Sequence, residues 1–432
     1  MTAADGGGRP AIPAIPVVPV VPIAPVAPVA PAGSTVSPLT GRPALVDRAD
    51  FPLVQRRTYL DSASKGALGG PVRTAVARFL DEWDEGGARW DLWLEEMEAA
   101  RGAFARLVGC APEQVFVGSS VSSAVAALTT ALDYRERPEL VLFEDDFPTL
   151  GDIALSTRRL GARVRLLSAP DGGRGGTDAA LAALAEVLTE RVAAVVVSGV
   201  HHNGRYELPL AEVADMCHAV GSLCVVDGYH QAGVIGVDVT ASGVDAWTSG
   251  CMKYLLGSAG GFTLTYCGDL LLERARPLAV GWLGAAERFT TARSAVRRRP
   301  DAARFDSGLP SLLCASAARA GLEQVLSWDG AAVERHVRAL VADAAEALAR
   351  ASGPRTPPPL RSAGAMLCVP VDDIVAVRRS LAEEDVLTGS WLDWLRVSFH
   401  AYSDEEDVRR FVEVMERRDL LRHIIPRLGT GS

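Results

Sequence analysis

Paired cysteine spacing is missing from this 432-residue chain. Its seven cysteines, Cys110, Cys217, Cys224, Cys251, Cys267, Cys314 and Cys368, are odd in number, scattered, and include no CxxC. This excludes a secreted disulfide framework and a cysteine-rich zinc site, and it fits reduced thiols in a cytoplasmic protein. A basic excess is missing too. Lys and Arg number 44 against 53 Asp and Glu, a formal net charge of −9. That argues against nucleic acid or an anionic membrane as a partner. No basic segment precedes the first apolar stretch, so it reads poorly as a signal peptide. Nor can that stretch be a membrane helix. From Pro10 to Pro31 a proline recurs at every third position, which removes helical donors at every turn. Polyproline II has three residues per turn, so these prolines share one edge. Residues 1–45 are therefore expected to be a solvated, semi-rigid spacer rising about 3.1 Å per residue.

Beyond Phe51 the pattern is that of a folded protein. Residues 57–66 read as a strand and turn, and 71–83 and 94–108 as helices. Strands are then predicted at 115–118, 140–144, 163–167, 193–200, 222–227, 246–248 and 261–266. Helices at 122–132, 149–160, 178–188 and 209–219 alternate with them. Strand followed by helix followed by strand is the signature of a parallel sheet covered on both faces. Such sheets bind ligands at the carboxyl ends of their strands. From residue 322 the pattern changes to helices at 330–351, 374–384 and 404–417 with strands at 366–371 and 395–399, a smaller α+β domain. The expected division is a tail (1–45), a large domain (46–321), whose first segment is expected to pack on the small domain (322–425), and a short tail (426–432).

The chemistry is read from strand ends. Lys253 follows the predicted strand at 246–248, and Asp227 ends the apolar run 222–227. A lysine amine can form a Schiff base with the aldehyde of pyridoxal 5'-phosphate, and an aspartate can keep the pyridine nitrogen protonated. Ser120, Val121 and Ser122 open a helix after a strand, where free amides and hydroxyls suit a phosphate. Phe147 ends another strand, where it can stack on the pyridine ring. His230, three residues past Asp227, is a candidate for the phosphate or the cofactor edge. Ser198 and His201 are candidates for the phenolic oxygen. Arg396 stands inside an apolar strand and needs a carboxylate, either a substrate's or the protein's own.

Together these residues resemble the class V aminotransferase family of pyridoxal phosphate enzymes, over about residues 55 to 420. The resemblance implies fold type I: a mainly parallel seven-stranded sheet with helices on both faces and a smaller α+β C-terminal domain. It also implies a homodimer with active sites at the interface. Kynureninase is the nearest branch. Phe147-Pro148-Thr149 is similar to its ring-stacking segment, Asp227 with His230 to its Asp-x-x-His, and Gly281-Trp282 to its Gly-Trp, whose tryptophan, here Trp282, helps hold the phosphate. Met252 stands where kynureninases carry Tyr, Leu150 where they carry Asp, and the later Gly-Pro segment offers only Ser307. No cysteine lies in 385–395, where desulfurases place their nucleophile. The expected activity is side-chain cleavage or amino transfer on an L-amino acid, with Lys253 as general base. An isopenicillin N epimerase-like racemase and a catalytically idle scaffold are the alternatives.

Overall fold

The computed structural model describes residues 42–168, 176–287, 295–353 and 359–425. The proline repeat and residues 426–432 lie outside the described residues. Along the chain, β1 (Thr58–Leu60) leads to α1 (Gly70–Gly86) and α2 (Trp90–Val108). Alternation then begins: β2 (Val115–Gly118), α3 (Val121–Thr130), β3 (Glu139–Phe143), α4 (Pro148–Ser156), β4 (Arg163–Leu167), α5 (Gly176–Val187), β5 (Val192–Ser198), α6 (Leu210–Ala219) and β6 (Leu223–Asp227). It continues through α7 (Val239–Ser242), β7 (Ala246–Gly250), β8 (Thr263–Cys267) and α8 (Asp269–Arg274). The remainder is α9 (Leu312–Leu326), α10 (Gly330–Ala351), β9 (Arg361–Ala363), β10 (Met366–Pro370), α11 (Ile374–Glu383), β11 (Val386–Trp391), β12 (Trp394–Ser398) and α12 (Glu405–Arg417).

Seven strands form one sheet in the order β2-β8-β7-β6-β5-β3-β4. From β4 to β7 the neighbours run parallel, and β8 is antiparallel to both β7 and β2. Each residue of β5, β6 and β7 is buried, as befits strands covered on both faces. The two-residue period of β6 sorts its side chains: Cys224 and Val226 join the core that holds Phe104 and Trp247, while Leu223 and Val225 join the one that holds Leu128 and Leu140. A buried ion pair braces one edge. Arg101 Nη2 lies 2.7 Å from Asp306 Oδ2, and Asp306 Oδ1 accepts from the Val117 amide at 2.8 Å.

A second sheet has the order β1-β11-β12-β10-β9. Here β1, from the start of the chain, pairs in parallel with β11, placing Thr58 opposite Val386. Val337 and Leu340 of α10 and Phe411 of α12 share a core with Leu367 and Val397 of this sheet. The early segment is fastened there as well. Arg48 Nη1 lies 2.7 Å from Asp407 Oδ2, and the Leu45 amide donates to the Ala401 carbonyl at 2.9 Å. No helix among the described residues is long and apolar enough to cross a membrane.

Candidate active site

Strand register brings the site together. Ser198 pairs with Asp227, and Asp227 with Thr248, so the last residues of β5 and β6 sit side by side next to the strand that leads to Lys253. Tyr229, two residues beyond β6, turns its ring beneath the lysine, whose Nζ is 4.2 Å from the ring centroid. That approach requires Gly250, because a Cβ there would lie 2.3 Å from Tyr229 Oη. Beyond Lys253, Leu256 (φ 59°) and Ser258 (φ 69°) adopt the left-handed region, at a cost of about 1–2 kcal/mol each for a non-glycine residue. Strain of this kind collects at functional sites. The loop is also held from the front: Gly66 N donates to the Met252 carbonyl at 2.9 Å, and a Cβ at Gly66 would meet the Lys253 carbonyl at 2.3 Å.

Around these residues is a cavity of about 420 Å³. Ser120, Val121, Ser122, Phe147, Ser198, Asp227, His230, Lys253 and Arg396 all line it, as do Met252 and Leu150. Lys253 Nζ is 2.9 Å from His230 Nε2. Burial, then the Arg396 charge, lowers the Lys253 amine to about 7, against the pull of Asp227 and Asp61. Burial raises Asp227 to about 6, although its carboxylate accepts from the Tyr229 amide at 2.9 Å. A buried carboxyl raised this way favours a cationic N–H beside it. Ser120 caps α3 reciprocally: its hydroxyl accepts from the Ser123 amide and its amide donates to Ser123 Oγ, both at 3.0 Å. The Ala124 amide donates to the Ser120 carbonyl. The Val121 and Ser122 amides remain as the first-turn donors, a site for an anion. Thr263 Oγ1 is buried without a hydrogen-bond partner and also lines the cavity.

Arg396 gives a clear outcome. Its guanidinium donates to the His202 carbonyl at 3.0 Å and to Ser64 Oγ at 2.8 Å, while Nε has no partner. Among the described residues it makes no ion pair with a carboxylate.

Two candidates lie off the cavity. His201 Nε2 is 2.9 Å from the Asp145 carbonyl, its Nδ1 accepts from the Asn203 amide at 3.1 Å, and its ring rests on Tyr206. The residue on the cavity is His202. The turn that follows β5, which ends at Ser198, puts His202 on the side of Ser198. Its ring nitrogens are buried without partners, burial holds it well below the usual histidine value, and its ring meets Phe147 and Trp391 edge-on. Trp282 is half-buried. Its neighbour Gly281 is pressed against the Ser307 carbonyl, beside a separate cavity of about 530 Å³ that also borders Ser119. Sequence reasoning missed Ser64, Tyr229, Thr263 and Trp391. It also passed over a direct signal for Lys253: Lys65, which is exposed, is the chain's other lysine.

A lysine and an aspartate at neighbouring strand ends of a mainly parallel sheet, facing a helix N-terminus, define a fold-type-I pyridoxal phosphate site. The sequence matches the model of the class-V aminotransferase family over residues 58–411. The chain belongs to that family, and pyridoxal phosphate is its cofactor. It is 27% identical over 370 residues to an uncharacterized aminotransferase, YcbU, of Bacillus subtilis, covering 84% of this chain and 95% of that one. To a kynureninase of Deinococcus radiodurans it is 29% identical over 292 residues, 65% of this chain and 68% of the relative. Its fold is similar to that of the cystine C-S lyase C-DES in complex with cysteine persulfide, with a TM-score of 0.73 and 20% identity over 85% of this chain and 99% of that chain.

Proposed function

We propose that this enzyme acts on an L-amino acid, using Lys253 as the cofactor's anchor and then as general base, and that it cleaves a side-chain bond in the manner of a kynureninase or transfers the amino group. The observation that carries this reading is the convergence of Lys253, Asp227 and an Arg396 without an ion-pair partner on one cavity. An idle scaffold has no use for a buried amine, a buried acid and a guanidinium hydrogen-bonded to a carbonyl and a hydroxyl, with Asp61 near but not in an ion pair with it; each costs stability when desolvated.

When bound, the cofactor supplies an electron sink for the charge left at the substrate Cα. The chain's own residues do the rest. The α3 amides of Val121 and Ser122 hold the phosphate. Asp227 would keep the pyridine nitrogen protonated, and Phe147, which lines the same cavity, would pack on the ring. Ser198 and His202 face the phenolic side. Arg396 receives the α-carboxylate on two parallel N–H donors, which orients the Cα–H bond. Lys253, largely neutral above pH 7, takes that proton on Nζ, and His230 at 2.9 Å holds the amine in line. The enzyme is proposed to work as a cytoplasmic homodimer. Trp282 does not line the cavity of its own chain.

Proton NMR of L-amino acids incubated with holoenzyme in deuterium oxide tests the reading. Exchange at Cα is expected for the substrate with wild type and not with Lys253→Ala. Assays for keto-acid, ammonia and alanine then separate amino transfer from cleavage. Equal exchange in the two proteins would remove Lys253 from the role of base.

A further inference from the structure

The proposed chemistry leaves one motif unused: a proline at every third position from Pro10 to Pro31. A polyproline II segment offers a flat apolar edge that is already ordered, and it is bound by aromatic rings that stand up around a groove. The α1–α2 hairpin carries such a surface. Trp83 is 58% exposed and Trp90 51%. They stand edge-on to Trp93, at 6.5 Å and 81° and at 5.8 Å and 74°. Trp93 forms the floor, stacked on Phe79 at 5.3 Å, and Leu80, 48% exposed, extends the surface. Apolar exposure this concentrated marks a contact site.

We propose that the proline repeat of this chain docks on its own aromatic cleft, with prolines seated between Trp83 and Trp90. Reach permits it. Arg42, where the described chain begins, is at most ~27 Å of extended chain from Asp50, whose carbonyl lies beside Gly70 at the start of α1, and Trp83 is ~20 Å along that helix at 1.5 Å per residue. Residues 32–41 can span up to ~33 Å when extended, and the repeat adds ~68 Å at 3.1 Å per residue. Charge narrows the choice of occupant. Asp81, Asp84, Glu85 and Asp91 are exposed around the cleft and repel an anionic membrane surface, whereas residues 10–41 carry no charged side chain.

Oxidative footprinting of the full-length holoprotein, read by mass spectrometry at Trp83 and Trp90, tests the docking. The comparison is a full-length variant in which all eight prolines of the repeat are replaced by glycine, which keeps the length and removes the rigid edge. Oxidation of both tryptophans is expected to be several-fold slower in the native chain, at any protein concentration. A synthetic peptide of residues 8–33 in excess is expected to restore protection to the variant. Rapid oxidation in both proteins would overturn the proposal in favour of a solvated tail. Equal protection in both, or protection only at high concentration, would overturn it in favour of a second copy covering the cleft.

Discussion

The Lys253 amine can be measured before any substrate is known. Its ordinary value is 10.5, and burial followed by the Arg396 charge brings it to about 7. At neutral pH that raises the neutral, nucleophilic fraction from ~0.03% to about half, a gain on the order of 10³. Only the neutral amine attacks the aldehyde of pyridoxal phosphate. Mixing apoprotein with the cofactor and following absorbance should therefore give a rate that rises with pH through about 7 and levels above it. Arg396→Gln removes a cationic neighbour and should move the midpoint up. Asp227→Asn removes a carboxylate that supports the ammonium and should move it down. Stability carries the same signature with a definite sign. Between about 7 and 10.5 the unfolded lysine holds a proton that the folded one lacks, so apoprotein stability rises with pH across that window. Lys253→Met should flatten this slope. A wild-type midpoint near that of free lysine, or one that falls in Arg396→Gln, would refute the reasoning.

Three further outcomes follow from individual contacts. Asp227→Asn should cut kcat at least about tenfold while the protein still binds cofactor, since more than one pKa unit of support for the pyridinium is lost; steady-state kinetics beside a cofactor titration checks this. Arg396→Lys should raise KM for amino acids by about 10- to 100-fold, the loss of one charge-assisted bond worth roughly 1.5–3 kcal/mol, and leave the melting temperature nearly unchanged because the guanidinium holds no protein carboxylate. Asp306→Ala should cost about 1–3 kcal/mol in denaturant unfolding, because the buried Val117 amide loses its acceptor and Arg101 loses one of its two carboxylates, keeping Glu98 at 2.8 Å.

The large sheet was legible because its strands are short apolar runs separated by amphipathic helices, a pattern set locally. The readings of Asp227 and Lys253 drew on the same local pattern, Asp227 as the end of one such run and Lys253 as a residue shortly after the next. Strand β11 escaped notice because Thr388, Gly389 and Ser390 interrupt its apolar pattern. Its place depends on pairing with β1, from the far end of the chain. The small, alanine-rich stretch of α9 carries little periodic signal, and it lies against α1 and α2, distant in sequence. His201 was chosen over His202 because composition cannot tell adjacent histidines apart, and the turn after β5 that decides which one faces the cavity carries no periodic signal. That Arg396 makes no ion pair among the described residues is a fact of three-dimensional packing, and no spacing along the chain reveals it.

Borohydride reduction of the pyridoxal phosphate-loaded protein, followed by peptide mass mapping, tests the central claim most directly. Reduction fixes the cofactor on whichever lysine holds it, and the chain has two, Lys65 and Lys253. The adduct is predicted on the peptide containing Lys253, at one per chain. An adduct on Lys65, or none on either, would contradict the account.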